Sequence, residues 1–276
     1  MYRLREIRKT LLFFRNIFAI QCVVFVSACQ SPHVLFHDKT VELNLTSEII
    51  KTSLFSHKIY KNNRESNGKL HVYIAGDGLP WMAGVIPSKD PTPRKPLVLS
   101  LIKQDMSAAL ILGRPCYHGL ANNPVCDSSL WTNKRYSSMI VDSMEKAIEQ
   151  LSQHYQDPDV VLMGYSGGGT LAVLLAERIP YVTGVVTIGA NLNTEAWTQY
   201  HQLLPLSGSI NPVDRPSLPA EMLQKHYVGR YDKVMPASLV ETYTRNHVSS
   251  ELVIVDDFNH RCCWEKIWTQ IISDIP

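Results

Sequence analysis

The chain has 276 residues, of which 45% are hydrophobic, and its formal net charge is +2. That length and hydrophobic content allow one large buried core. The charge is too small to indicate nucleic-acid binding, and much of the basic excess lies near the N-terminus. No spacing of cysteine and histidine has the form of a zinc site, so we expect neither a metal nor another cofactor.

The first 28 residues have the pattern of an export signal. Five basic residues precede an apolar stretch at 17–28, which is shorter than a spanning helix needs and is interrupted by Gln21. Residues 26–29 read VSAC, and small residues followed directly by cysteine resemble the lipobox of bacterial lipoprotein signals. We therefore expect removal of residues 1–28, lipidation of Cys29 and tethering to the periplasmic or cell-envelope side of a bacterial membrane. An ordinary secretory signal or a short anchor helix is the alternative.

Besides Cys29, two pairs of cysteines remain in the expected mature chain. Cys116 and Cys126 lie close together in a loop, and in an oxidising compartment they would form a disulfide worth about 2–3 kcal/mol. Cys262 and Cys263 are adjacent. A vicinal bridge, two free buried thiols or one packed thiol are all open for this second pair.

Beyond a polar tether predicted at 29–44, the chain is expected to fold as one domain over 45–276. Strands are predicted at 55–60, 70–75, 108–112, 160–163, 182–188, 226–229 and 251–255. Helices are predicted at 96–104, 137–153, 170–178, 194–202, 237–246 and from 264 towards the C-terminus. Strands that alternate with helices predict right-handed crossovers and a mostly parallel central sheet with helices on both faces, an α/β fold.

One predicted strand ends abruptly in a G-x-S-x-G match, Gly164-Tyr165-Ser166-Gly167-Gly168, and a Leu/Ala-rich helix follows. A serine in so sharp a turn needs very small neighbours two residues away on either side. The turn lifts the Ser166 hydroxyl clear of the sheet and leaves the Gly167 amide at a helix start, where it can stabilise an oxyanion. We predict that Ser166 is a nucleophile; a Gly-rich turn with an incidental serine is the alternative.

A serine nucleophile needs a histidine base and a carboxylate to orient it. His260 lies between the last strand and the final helix, where a loop can bring its ring over the sheet. Asp232 comes just after the penultimate strand, at the edge where reactive residues collect. Asp256 and Asp257 are the runners-up for the acid, but they are so close to His260 that the loop would have to double back.

The oxyanion hole needs a second backbone donor besides the Gly167 amide. Gly76-Asp77-Gly78 follows an early strand, and its glycines permit a tight backbone that turns an amide inward. We predict that the amide of Asp77 or of Gly78 is that donor. A plain Asp-Gly turn is the alternative.

Together these motifs resemble the α/β-hydrolase fold enzymes, with serine, acid and histidine in that chain order. The resemblance covers the chain from about residue 70 to the end. More narrowly, the chain is similar to a poorly characterised set of bacterial hydrolase-like lipoproteins. The matching residues are Gly76-Asp77-Gly78 with Trp81, Arg114-Pro115-Cys116, Trp131-Thr132 and Gly164 to Gly169.

The resemblance implies serine hydrolase chemistry on an ester, amide or thioester, through an acyl-enzyme and with a small-molecule or lipid-like acyl substrate. A non-catalytic binding module and an acyltransferase are the alternatives. Ala75 stands where lipases and esterases carry the histidine of a His-Gly-Gly-Gly loop, which weakens a specific claim of lipase activity. The segment 190–222 is longer than a simple crossover needs, and we expect it to form a small lid or an extra packed surface helix.

Overall fold

The computed structural model of the chain describes residues 30–156, 158–247 and 249–275. The export signal expected at 1–28 and the lipidation site expected at Cys29 lie outside the described residues. Within these three ranges, no helix has both the length and the apolar character needed to cross a membrane.

The secondary structure follows the alternation that the sequence predicts. The strands are β1 (Thr46–Lys51), β2 (Ser56–Lys61), β3 (Lys69–Ile74), β4 (Trp81–Met82), β5 (Ile86–Pro87), β6 (Ala109–Leu112), β7 (Asp159–Tyr165), β8 (Val182–Ile188), β9 (Leu223–Gly229) and β10 (Glu251–Val255). The helices are α1 (Pro32–Glu42), α2 (Leu97–Ile102), α3 (Ser138–His154), α4 (Gly167–Ala176), α5 (Thr194–Tyr200), α6 (Ala237–Thr244) and α7 (Trp268–Ser273). Short 3₁₀ segments lie at Ser128–Trp131, Pro212–Asp214 and Trp264–Lys266.

Eight of these strands form one sheet in the order β1-β2-β6-β3-β7-β8-β9-β10. Strand β2 pairs antiparallel with β1 and with β6, and all other neighbours in the sheet pair parallel. The predicted α/β fold with a mostly parallel sheet is therefore confirmed. Because parallel strands run in the same direction, the carboxyl ends of β3, β7, β8, β9 and β10 lie along one edge of the sheet.

The centre of the sheet is buried on both faces. Leu162 in β7 pairs with Val72 in β3 and Val185 in β8, and its side chain belongs to the core layer that contains helices α3, α4 and α6. Its neighbour Met163 points to the opposite layer, with Trp268 of α7. Successive side chains of a strand alternate between faces, so the continuous apolar run in β7 fills both layers.

The prediction of a structureless tether at 29–44 is wrong. Helix α1 occupies most of that segment, and Phe36 is fully buried. The Phe36 ring lies 5.2 Å from that of Tyr60 and 4.5 Å from that of His118, measured between centroids. A helix that buries only one large apolar side chain shows little hydrophobic periodicity. The sequence pattern therefore did not predict helix α1. The folded domain therefore begins in α1, ahead of residue 45.

The structure also shows how the cysteines pair. Cys116 and Cys126 form a disulfide that closes a loop after β6, with their Cα atoms 5.8 Å apart. Of the alternatives for Cys262 and Cys263, the structure shows the vicinal bridge, across a cis peptide bond. Cys262 is exposed and Cys263 is half-buried, so this pair is not two buried thiols.

We predict that replacing Cys116 and Cys126 together by serine lowers the free energy of unfolding by about 3 kcal/mol, because the unfolded chain regains the entropy of a loop of roughly ten residues. Urea denaturation of oxidised wild type and of the double variant measures the difference. The matched control is Cys262→Ser/Cys263→Ser, whose bridge closes no loop and which should lose less. Equal stability of wild type and the Cys116/Cys126 variant would contradict the prediction.

Candidate active site

Ser166 occupies the sharp turn between β7 and α4 that the sequence predicts. Its backbone has φ 54° and ψ −126°, a conformation that residues with side chains rarely adopt. The turn brings α4 back over the sheet at very close range. A Cβ atom on Gly164 would clash with the backbone of Gly169, and one on Gly168 would clash with the carbonyl of Ile74. Both glycines are therefore required by the path of the chain.

The structure brings Ser166 together with the histidine and the aspartate predicted to act with it. The Nε2 atom of His260 lies 3.1 Å from the Ser166 Oγ, and its Nδ1 lies 2.7 Å from Oδ2 of Asp232. The other carboxylate oxygen of Asp232 accepts hydrogen bonds from the amides of Val234 and Met235. A carboxylate only accepts, so Nδ1 carries the proton and leaves Nε2 free to accept one from the serine hydroxyl.

The two runners-up for the acid lie elsewhere. Asp256 pairs with Arg230 at the surface, where its side chain is 73% exposed. Asp257 is also exposed. By contrast, Asp232 and His260 are both buried. Burial excludes the water that would otherwise compete for their hydrogen bond.

Gly189 belongs to this site, although the sequence pattern did not predict it. Gly189 directly follows β8 with φ +54°, and a Cβ atom there would lie 2.9 Å from Nδ1 of His260 and 3.0 Å from Oδ2 of Asp232. Only glycine leaves room for the histidine–aspartate pair at that point. A glycine at the carboxyl end of a buried strand was the available signal. The ring of Tyr165 contacts the other side of His260, with centroids 5.1 Å apart.

The predicted oxyanion loop passes directly beside the serine. A Cβ atom on Gly76 would lie 3.1 Å from the Cβ of Ser166. The amides of Asp77, Gly78 and Gly167 donate to no other described residue, which leaves them available to a ligand. These amides are suited to stabilise a negatively charged oxygen.

The Asp77 side chain anchors this loop in a buried ionic cluster. One carboxylate oxygen accepts from Arg114 at 2.6 Å, and the other accepts from Arg135 at 2.9 Å and from the Tyr136 hydroxyl at 2.7 Å. The Tyr117 hydroxyl donates to the Asp77 carbonyl at 3.0 Å. Both guanidinium groups are almost fully buried. The cluster, which we call the Asp77 cluster, therefore fixes both the side chain and the backbone of the loop.

The two arginines of the Asp77 cluster keep the Asp77 carboxyl ionised. Burial disfavours ionisation of Asp77, but the positive charges of Arg135 and Arg114 outweigh it and hold the carboxyl pKa at about 2. The cluster also packs against the start of α4, since a Cβ atom on Gly167 would clash with the Asp77 carboxylate and the Tyr136 hydroxyl. The predicted oxyanion loop at 76–78 and the turn at Ser166 are thus held together by the same ionic contacts.

A second histidine–serine pair has a different environment. His57 Nε2 lies 2.7 Å from the Ser143 hydroxyl, and its Nδ1 lies 2.9 Å from the carbonyl of Gly113. Burial lowers the pKa of His57 to about 4, although the bond to Gly113 opposes the shift. His57 is fully buried and bonds a carbonyl where a triad histidine has a carboxylate. This pair ties β2 to α3 and is structural.

Ser166 and His260 open into a cavity of about 350 Å³. Leu79, Pro93 and Leu97 supply apolar lining. No residue of the segment 190–222 lines this cavity. That segment instead contributes α5, a surface helix whose Trp197 donates to the carbonyl of Val234. In the parts of the chain that the structure describes, no three His, Cys, Asp or Glu side chains are grouped to hold a metal ion.

Comparisons with known proteins agree with this architecture. A family model described as the alpha/beta hydrolase fold matches residues 121–207, a range that contains Ser166 but neither Asp232 nor His260. No curated protein matches the sequence significantly.

Several solved structures are similar over most of the chain. An alpha-beta serine hydrolase homologue from Coxiella burnetii is 11% identical, with a TM-score of 0.56 over 82% of this chain and 97% of that one. A putative lipase from Acinetobacter baumannii is 11% identical, with a TM-score of 0.57 over 88% and 95%. A lidless serine hydrolase from Xanthomonas campestris is 10% identical, with a TM-score of 0.56 over 83% and 94%. The chain therefore has the α/β-hydrolase fold.

Proposed function

We propose that this protein is a serine hydrolase that cleaves a carboxylic ester through an acyl-enzyme. The observation that supports the proposal most strongly is the continuous hydrogen-bonded series from Ser166 through His260 to Asp232, next to an open cavity. A serine hydroxyl becomes a strong nucleophile when an oriented imidazole can take its proton.

The proposed reaction has two halves. Ser166 Oγ attacks the ester carbonyl carbon while His260 Nε2 takes the hydroxyl proton, and the amides of Gly167 and of Asp77 or Gly78 stabilise the oxyanion. His260 then gives that proton to the leaving alcohol oxygen as its bond to the carbonyl carbon breaks, which leaves an acyl group on Ser166. In the second half, water attacks the acyl carbonyl carbon while His260 Nε2 takes a proton from it. His260 then gives that proton to Ser166 Oγ as the bond between Oγ and the acyl carbon breaks, which releases the acid and restores the free serine.

Two further residues act by positioning. Asp232 holds the imidazole in the required tautomer and stabilises its positive charge during the reaction. Asp77 holds the oxyanion loop against the start of α4 through its contacts with Arg114 and Arg135. Fixed donors stabilise a developing charge better than mobile ones, because they need no reorganisation when the reaction occurs.

An alcohol acceptor in place of water would turn the same acyl-enzyme into an acyltransferase, and an amide or thioester would form the same intermediate. We favour an ester because its alcohol leaving group needs less protonation than an amine. A protein that only binds its ligand would not need a buried, oriented histidine–aspartate pair beside a strained serine.

We also propose that the protein is exported and anchored to a bacterial membrane through lipidated Cys29, as residues 26–29 predict. Metabolic labelling with an alkyne fatty acid in a bacterial host should label the wild-type chain and not Cys29→Ser. The matched control is Cys22→Ser, which lies inside the predicted signal and should keep the label. Equal labelling of Cys29→Ser would contradict the anchor without affecting the proposed chemistry.

We predict that Ser166→Ala abolishes labelling by a fluorophosphonate probe and that Ser166→Ala, His260→Gln and Asp232→Asn each lower kcat for p-nitrophenyl butyrate by about 10³-fold or more. Each change removes one member of the proton-transfer series. The loss of kcat in a double variant should therefore be smaller than the product of the two single losses. Probe gels and initial-rate kinetics measure both effects.

Matched controls for these variants are His154→Gln and Asp256→Asn. His154 is an exposed histidine, and Asp256 is the exposed carboxylate that was the alternative candidate for the acid. Both should retain near wild-type rates. Full activity of Asp232→Asn together with loss in Asp256→Asn would show that the acid has been misassigned. Probe labelling that survives in Ser166→Ala would disprove the nucleophile.

We predict that Asp77→Asn lowers the free energy of unfolding by about 3 kcal/mol near pH 7, because it leaves Arg114 and Arg135 buried without an anion. It should also lower kcat more than it raises KM, since the oxyanion loop loses its anchor. Urea denaturation and initial rates measure the two effects. The surface change Asp142→Asn is the control, since its partner Arg178 is partly exposed.

The stability loss in Asp77→Asn should depend on pH. The folded-state pKa of Asp77, about 2, lies below the usual 3.8, so the stabilisation is complete above about pH 5 and is lost as the pH falls towards 2. That shift corresponds to about 2 kcal/mol, and roughly half of it should be gone at pH 3. A difference between wild type and variant that stays constant from pH 7 to pH 3 would contradict the ionised cluster.

A further inference from the structure

We infer that the substrate carries an anionic group, such as a carboxylate, within a few bonds of the scissile ester, and that Arg94, Lys95 and Arg261 bind it. The inference rests on the proposed function and names the substrate class for the same cavity. It goes beyond an apolar acyl substrate, for which the cavity lining alone would be sufficient.

Three cations line the cavity at Ser166. Arg94 and Lys95 lie in the segment between β5 and α2, and Arg261 directly follows His260. All three are exposed at the cavity mouth, where a ligand can reach them. Because they come from two separate parts of the chain, their convergence on one cavity is a property of the fold.

The carboxylates of Asp77 and Asp232 are paired with other residues and not with these cations. Asp77 is paired with Arg114 and Arg135, and Asp232 is bonded to His260. Among the described residues, no ion pair involves any of the three cavity cations. The mouth of the cavity therefore carries uncompensated positive charge, which attracts an anion most strongly where the walls partly exclude water.

Arg261 is held close to the reacting atoms. Its amide donates to the side chain of Asn259 at 2.9 Å, which fixes the backbone next to the base. Burial raises the pKa of the Tyr165 hydroxyl, and the adjacent charge of Arg261 partly offsets that rise. Arg261, Tyr165 and Ser166 line the same cavity. An anion bound there would sit near the ester.

A second cavity of about 680 Å³ adjoins the first. The two cavities share Lys95 and Arg261, so the charge is concentrated where they meet. The other charged residues that line the second cavity are Lys39, Glu42, Lys103 and Glu265. These four residues balance in charge, so the excess positive charge lies at the shared Lys95 and Arg261.

The test compares esters of matched length in which a carboxylate replaces a methyl group. On the acyl side, mono-p-nitrophenyl glutarate is paired with p-nitrophenyl pentanoate; on the leaving-group side, 4-acetoxybenzoate is paired with 4-methylphenyl acetate. We expect kcat/KM to favour the charged ester by about tenfold in at least one pair, and raised salt to reduce that preference. The pair that shows the preference identifies which part of the substrate carries the anion.

The double variant Arg94→Gln/Arg261→Gln should reduce the ratio of charged to neutral kcat/KM by about tenfold, since it removes two of the three charges. The control Lys51→Gln/Arg64→Gln removes two exposed cations that line neither cavity and should leave the ratio unchanged. The measured quantity is the ratio of kcat/KM for the charged ester to kcat/KM for the neutral ester. A loss of activity that is equal for both esters leaves this ratio unchanged and does not support the inference.

The inference fails if neither charged ester is preferred while the neutral esters are hydrolysed, an outcome that keeps the proposed function. It also fails if the preference persists unchanged in Arg94→Gln/Arg261→Gln, because the anion would then be bound elsewhere. Absence of both ester hydrolysis and fluorophosphonate labelling in the wild type would instead overturn the proposed function, and this inference with it.

Discussion

The backbone conformation of Ser166 is the constraint on which the site depends. A residue with a side chain accepts φ 54° only if its surroundings enforce it, and here the close return of α4 over the sheet does so. Gly164 and Gly168 permit that return because side chains there would collide with the backbone. The strained turn places a hydroxyl and a free helix-start amide at the same point on the sheet edge. The rest of the site is arranged around this point.

Two sets of contacts extend from the turn. On one side, the loops after β9 and β10 bring Asp232 and His260 to the hydroxyl, with Gly189 leaving the space that they need. On the other side, the Asp77 cluster fixes the early loop against the start of α4. Burying a carboxylate with two guanidinium groups has a large desolvation cost, which is offset because both guanidinium groups bond the same carboxylate. The cluster thereby fixes the position of the loop, and loss of its anion is destabilising.

The sequence was informative where periodicity or turn chemistry is strong. The buried strands, the long helix α3 and the G-x-S-x-G turn were predictable because each leaves a local pattern. Helix α1 has no such local pattern, because Phe36 is its one large buried apolar residue. The Asp77 cluster was also hidden: Arg114 and Arg135 are far from Asp77 in sequence, and only the fold makes them neighbours. Pairings of this kind depend on tertiary structure, and a single sequence does not encode them locally.

The central claim is that Ser166 carries the acyl group during turnover. Rapid mixing of the protein with a p-nitrophenyl ester, followed by acid quenching and peptide mass spectrometry, tests it most directly. The account predicts a burst of about one p-nitrophenolate per protein molecule and an acyl mass on the peptide that contains Ser166. Steady turnover with no adduct on that peptide, or an adduct on a different residue, would contradict it.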